Sequence, residues 1–160
     1  MASDMFLKLD DIKGESSKEK HTGEIDINSW GWGVSQTGSS HVGGGSGSGK
    51  ATVSDMTVTK HVDRSSPLLF QMCCAGTPIA KGLLTCRKAG GKALEYVKIT
   101  MEQAIITSVT LGGDAGGDFI TETVTLNFAK MNYEYVPQKG DGTGDASVVK
   151  GWDIAQGKPV

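Results

Sequence analysis

Residues Glu24 to Ser39 read EIDINSWGWGVSQTGS, and the parity of the large apolar side chains in this stretch decides the fold. Ile25 and Ile27 alternate as the buried members of a strand with one wet face. Trp30 and Trp32 fall on the opposite parity, so a strict period of two cannot bring all four to one side. A β-bulge at Asn28 or Ser29 restores them to a common face, and so does a loop at Ser29 that separates two short strands. Glu24, Asp26, Ser29, Gly31, Gly33 and Ser35 are then left on the other face, which is small, polar and hydrated. Strands of this kind belong to curved antiparallel sheets, because the strands of parallel sheets are buried on both sides.

The same pattern recurs outward from this stretch. Met5 to Leu9 alternates as a first strand. Lys50 to Lys60 changes phase at Ser54 and Asp55, which predicts a second bulge. Gly82 to Lys88, Leu94 to Met101, Ala104 to Leu111, Thr121 to Ala129 with a continuation to Tyr135, and Val148 to Ile154 read as further strands between glycine-rich turns. One segment departs. Over 64–75, between Asp63 and Gly76, Leu68, Leu69, Met72 and Cys73 recur at helical spacing, with Pro67 suited to a first turn and Gly76 to a left-handed cap. These elements predict a mainly β single domain over 1–160, an antiparallel β-barrel of two sheets with one flanking α-helix. A run over 38–50, GSSHVGGGSGSGK, has nothing larger than Val42 to pack and reads as a mobile loop.

Composition excludes several classes of function. The 160 residues carry 16 basic and 18 acidic side chains, interspersed, so neither nucleic acid nor an anionic membrane is an expected partner. No apolar run is long enough to span a bilayer, and MASDMFLKLDD lacks the features of a cleavable signal peptide, which predicts folding in the cytoplasm. Cys73, Cys74 and Cys86 are odd in number and lack metal-site spacing, consistent with reduced thiols. GGSGSGKA, from Gly44 to Ala51, nearly matches a phosphate-binding loop, but Ala51 lacks the hydroxyl and a strand-like sequence follows where that motif needs a helix. His21, His41 and His61 have no nearby partner ligands, and the Asp114/Asp118 and Asp141/Asp145 pairs lack full calcium-loop spacing. No nucleophile signature or isolated carboxylate pair stands out. The expectation is a protein without catalytic residues, metal or cofactor.

Several separate segments carry a resemblance: MASDMFLKLDDIKGES, EIDINSWGWGVSQTGS, HVGGGSGSGK, VTKHVDRSSPLL, TCRKAGG and TETVTLNFAKMNYEYVPQKGDG. Together they resemble the Hcp (haemolysin-coregulated protein) family, the tube subunit of type VI secretion. The resemblance implies a β-barrel that assembles into a hexameric ring. Rings would stack into a tube, expelled by a contractile sheath with a tip (spike) protein, whose pore carries or chaperones effector proteins. It also implies secretion through that apparatus without a cleavable signal peptide. Some members have a serine between the two tryptophans, at a pore-lining position linked to cargo binding, where this chain has Gly31. On this footing Asn28, Ser29 and Gly31 are the expected pore-facing residues. Ser40, His41, Val42, Gly43, Gly44, Gly45, Ser46, Gly47, Ser48, Gly49 and Lys50 are the expected ring-stacking loop. A monomeric barrel that binds a small ligand is the alternative, and size-exclusion chromatography separates the two.

Overall fold

Ser3–Leu9 (β1) opens the chain as a strand whose Leu7 and Leu9 enter the main core while Phe6 points to the other side, where the loop that follows covers it. In this computed structural model, which describes residues 3–38, 50–89 and 93–160, a mainly β, antiparallel fold with a single helix is built from such half-buried strands. Ile25–Asp26 (β2), Ser29–Gly31 (β3), Val34–Gln36 (β4), Ala51–Val53 (β5) and Met56–His61 (β6) precede the helix Ser66–Ala75 (α1). Ile79–Lys88 (β7), Glu95–Gly112 (β8), Thr121–Tyr135 (β9), Val148–Asp153 (β10) and Lys158–Pro159 (β11) follow it.

A nine-stranded sheet runs in the order β11-β10-β9-β8-β7-β1-β2, and a branch adds β6 to β9 and β3 to β6. The remaining pair, β4 with β5, is a separate two-stranded sheet. Among the described residues two sheets and one helix match the expected inventory, but no sheet closes into a barrel. The reason lies between β2 and β3. The Ile27 amide donates to the Met5 carbonyl at 3.0 Å, whereas the Asn28 amide donates to the Thr59 carbonyl at 2.8 Å. Successive residues thus turn to opposite neighbours, and single bonds replace a continuous ladder at the place where the sheet would close.

The phase changes are real, although their devices differ from a simple bulge. Ile25 and Ile27 are buried, Asn28 and Ser29 are both exposed, and Trp30 and Trp32 return to pack against the core. Here the chain breaks into two short strands with different partners, so the shift needs no bulge within one strand. Ser54 and Asp55 act likewise: β5 and β6 lie in different sheets. By contrast, the two strands expected at Leu94 to Met101 and Ala104 to Leu111 are one long strand, β8. Gln103 takes a left-handed φ of 52° within it, and burial shifts parity from Met101 to Ala104 opposite the matching shift from Met131 to Phe128 on β9. A true bulge follows, where the register of β8 on β9 slips between Ile106 and Ser108.

Helix α1 starts at Ser66, two residues later than expected, with Arg64 and Ser65 in the turn before it and Pro67 in the first turn. Asp63 Oδ1 accepts the Ser65 amide at 2.8 Å, and Gly76 ends the helix at φ 64°, as its lack of Cβ permits. Leu69 is buried, Met72 and Cys73 are half-buried against the core, and Leu68 lies at the exposed edge. A fully buried leucine contributes about 1.5–3 kcal/mol of hydrophobic stabilisation, enough to dock a ten-residue helix that could not persist alone in water.

The start of this helix is tied to the sheet by charge. Lys60, opposite Glu122 in the β6–β9 ladder, is wholly buried, with Nζ 2.8 Å from Glu122 Oε2, 3.0 Å from Asp63 Oδ1 and 3.1 Å from Ser66 Oγ. Ser66 Oγ donates in turn to Glu122 Oε2 at 2.6 Å. A satellite cluster covers Phe6, with the His21 ring stacked on it at 4.2 Å and set between Glu24 Oε2 at 2.9 Å and Glu95 Oε1 at 2.5 Å. Gly14 is required beneath the same loop, because a Cβ there would collide with the backbone of Glu24.

Candidate functional site

Two of the residues expected to face a pore, Ser29 and Gly31, lie on β3, which joins β6, β9 and β8 in one face. Along β6, Met56, Val58 and Lys60 point inward and Thr57, Thr59 and His61 outward; along β9, Val124 and Leu126 point inward and Thr123, Thr125 and Asn127 outward. Pairing then aligns the outward side chains in rows. Ser29 lies opposite Thr59, Thr59 opposite Thr123, and Thr123 opposite Thr110. The next row is Gly31, Thr57, Thr125 and Ser108. Neighbouring strands are about 4.8 Å apart, so these rows form a continuous surface of small hydroxyl side chains with no charged residue in it.

The register slip between Ile106 and Ser108 enriches one border of this surface. It places Thr107 where its hydroxyl donates to Asp55 Oδ2 at 2.7 Å and lies 2.6 Å from Thr125 Oγ1. Asn127 Nδ2 donates to the other Asp55 oxygen at 2.9 Å. The one carboxylate at this border is therefore engaged through both oxygens. Ser29 and Gly31 stand in the rows, and Asn28 is exposed beside them at the strand switch. A side chain built at Gly31 meets no atom within 4 Å, so the position is an open gap in its row. Thr57, Thr59, Thr107, Ser108, Thr110, Thr123, Thr125 and Asn127 were missed by sequence reasoning. Their alternation with core residues was visible in β6 and β9, but only the pairing shows that they share one face with Ser29.

The other expected site divides. Positions 40–49 of the stacking loop lie outside the described residues. Lys50 is exposed, its amide donates to Thr37 Oγ1 at 3.3 Å, and β5 follows it directly, so the strand that weighed against a phosphate loop is present. Three of the four aspartates considered for calcium, Asp114, Asp141 and Asp145, serve turns. Asp114 Oδ1 accepts the Gly116 amide and Asp145 Oδ1 the Ala146 amide. Hydrogen bonds from the hydroxyl and then the amide of Thr143 hold the Asp141 carboxyl below its ordinary range. All three cysteines are free, and burial pushes the Cys86 thiol up against the weaker opposing effect of a hydrogen bond with Trp30, which keeps it protonated. Among the described residues no cluster of three or more metal-ligating side chains occurs, and no helix is long and apolar enough to cross a membrane.

Fold and face together define a β-rich protein that presents an extended hydroxyl-bearing surface. A family model described as type VI secretion system effector, Hcp, matches residues 6–135, and the chain belongs to that family of secretion-tube proteins. Protein hcp1 of Pseudomonas aeruginosa is 49% identical over 158 residues, 98% of each chain. A solved type six secretion system protein superposes with a TM-score of 0.94 at 27% identity, covering 99% of this chain and all of that one. Hcp1 from Salmonella typhimurium does so with a TM-score of 0.84 at 37% identity over the whole of both chains. Matches of this extent do not favour the alternative of a monomeric small-ligand barrel.

Proposed function

We propose that six copies of this chain form a ring whose pore is lined by the hydroxyl rows, and that stacked rings carry effector proteins through the type VI apparatus. The observation that carries this reading is the pair of charge-free rows running from Ser29 and Gly31 across β6 and β9 to Thr110 and Ser108. A surface of small hydroxyl groups offers many weak, exchangeable hydrogen bonds and no strong electrostatic anchor, which suits a channel that must hold different clients and release them. Ring closure would also bury strand edges that the open sheet leaves unpaired. Residues 40–50 would reach from ring to ring, and the sheath and tip proteins would meet the outside and the end of the tube. The protein would fold in the cytoplasm and leave through the assembled machine.

Negative-stain images and light scattering test the assembly: annuli and a mass several times that of the subunit are expected, and a monomer at micromolar concentration would overturn it. Gly31→Arg tests the face. The ring should persist while the set of co-purifying effectors changes, and loss of the ring would move Gly31 to a subunit interface. Replacing Val42 to Gly49 by a four-residue turn should leave rings intact and abolish tubes and secretion.

A further inference from the structure

The bulge in β8 sets hydroxyl groups in line as well as adding one to the face. Ile106 is buried and Val109 packs against the core, so the slip between Ile106 and Ser108 turns two successive side chains, Thr107 and Ser108, outward. Thr125 on β9 lies between them, its Oγ1 2.6 Å from Thr107 Oγ1 and 2.8 Å from Ser108 Oγ. Asp55, from the connection between β5 and β6, ends the line, with Oδ2 2.7 Å from Thr107 Oγ1. Three hydroxyl groups from two strands thus lead to one carboxylate.

Counting protons fixes the direction of that line. Each hydroxyl has one proton, and a carboxylate only accepts. The Thr107 proton lies towards Asp55, because two oxygens 2.7 Å apart with no proton between them repel. Thr107 can then only accept from Thr125, and Thr125, its proton committed, can only accept from Ser108. The Asn127 nitrogen also donates to Asp55, at 2.9 Å, which turns the carbonyl of that side chain the other way. All three hydroxyl protons therefore point along the line, and Thr107, Thr125 and Ser108 offer a ligand only lone pairs. Hydrogen bonds that run in one sense polarise one another, so the Ser108 oxygen accepts more strongly than an isolated hydroxyl would.

We propose that Asp55 sets the hydrogen-bonding polarity of the hydroxyl face and so selects clients that present N–H donors there: unpaired backbone amides, carboxamides, or ammonium and guanidinium groups. The inference rests on the reading that this face holds effector proteins, and adds which of their groups it recognises. Asp55 acts through Thr107, Thr125 and Ser108, which makes it a positioning residue. A donor brought to these oxygens exchanges its water for a partner. A carbonyl or carboxylate oxygen meets lone pairs instead and loses hydration without replacement. Freely rotating hydroxyls would not discriminate, since each could turn its proton to suit either kind of group.

Two neutral peptides test this polarity. Tetraglycine with acetyl and dimethylamide caps carries backbone N–H groups, and tetrasarcosine with the same caps has a methyl group in place of each. Both are passed over immobilised protein, and their retention is compared for the wild type, Asp55→Asn and Thr125→Val. The wild type should retain the glycine peptide about threefold more than the sarcosine peptide. Asp55→Asn keeps the side-chain shape, but its amide can donate to Thr107 and reverse the line, so the ratio should fall to about one. Thr125→Val keeps the carboxylate, interrupts the line and releases the Ser108 proton, so the ratio should fall there too. A wild-type ratio near one would overturn the proposal. So would an unchanged ratio in Thr125→Val, which would assign the preference to the Asp55 charge alone, or an unchanged ratio in Asp55→Asn. Light scattering on the same preparations separates the two readings. Discrimination by a wild type that forms no rings upholds the polarity and removes the tube, whereas rings that do not discriminate keep the tube and overturn the polarity.

Discussion

Lys60 shows how much a single residue can commit this fold to. Its ammonium group is wholly buried against Glu122, which is itself wholly buried, with Asp63 and Ser66 completing the shell. Removing one partner leaves an uncompensated charge, so Lys60→Met should destabilise by about 3–5 kcal/mol in urea unfolding. The double change Lys60→Met with Glu122→Leu should lose much less, because two apolar side chains of similar volume need no desolvation. Trp30 is half-buried and not sealed in the core, so Trp30→Ala should cost about 2 kcal/mol, below the range for a fully buried ring. Glu95 sets an acid limit. Burial raises its carboxyl, but hydrogen bonds from His21 and Lys98 and the charges of both outweigh burial and hold it below the ordinary 4.5. A depressed folded value stabilises above the unfolded value and is lost as pH falls through the folded one. The urea midpoint of the wild type should therefore fall towards that of Glu95→Gln between neutral pH and about pH 3, and a constant gap between them would show that the carboxyl does not titrate differently on folding.

At the scale of elements, Gly76→Ala isolates the helix cap. The left-handed φ of 64° costs an L-residue about 1 kcal/mol, and the unfolding midpoint should drop accordingly with no change in secretion. This cap was legible because Gly76 and Pro78 punctuate a helical pattern, and β1, β6 and β9 were legible because alternation needs only local information. The mechanism of each phase change was not. A shift of parity looks the same whether it arises from a bulge, a break between sheets, as at Ser54 and Asp55, or a left-handed residue such as Gln103. These are distinguished by which strand pairs with which, a long-range property that parity does not encode. The candidate site suffered likewise: Ser29 and Gly31 were recognised on their own strand, while their continuation into Thr57, Thr59, Thr123 and Thr125 depended on the β3–β6–β9 register.

Across the whole molecule, the decisive quantity is the charge that the hydroxyl rows lack. The chain has 34 charged Lys, Arg, Asp and Glu side chains, 16 and 18, yet none lies in the rows from Ser29 to Thr110 and from Gly31 to Ser108. Attraction between exposed charges falls as salt shortens the screening length from about 10 Å at 0.1 M to about 3 Å at 1 M, whereas hydrogen bonding to hydroxyl groups and contact with methyl groups of threonine do not. On the proposed function, retention of a client on the hydroxyl face should therefore change less than about twofold between 0.1 and 0.5 M salt. In the six-membered ring proposed above, Thr123→Glu would add one carboxylate per subunit to the hydroxyl face without touching the core, since Thr123 points away from Val124 and Leu126. The ring should survive that change, acidic clients should be lost at low salt and recovered at high salt, and basic clients should bind more tightly at low salt. Co-purification across a salt series reads all three effects at once, and client retention that already collapses with salt in the wild type would show that charged surfaces elsewhere hold the cargo.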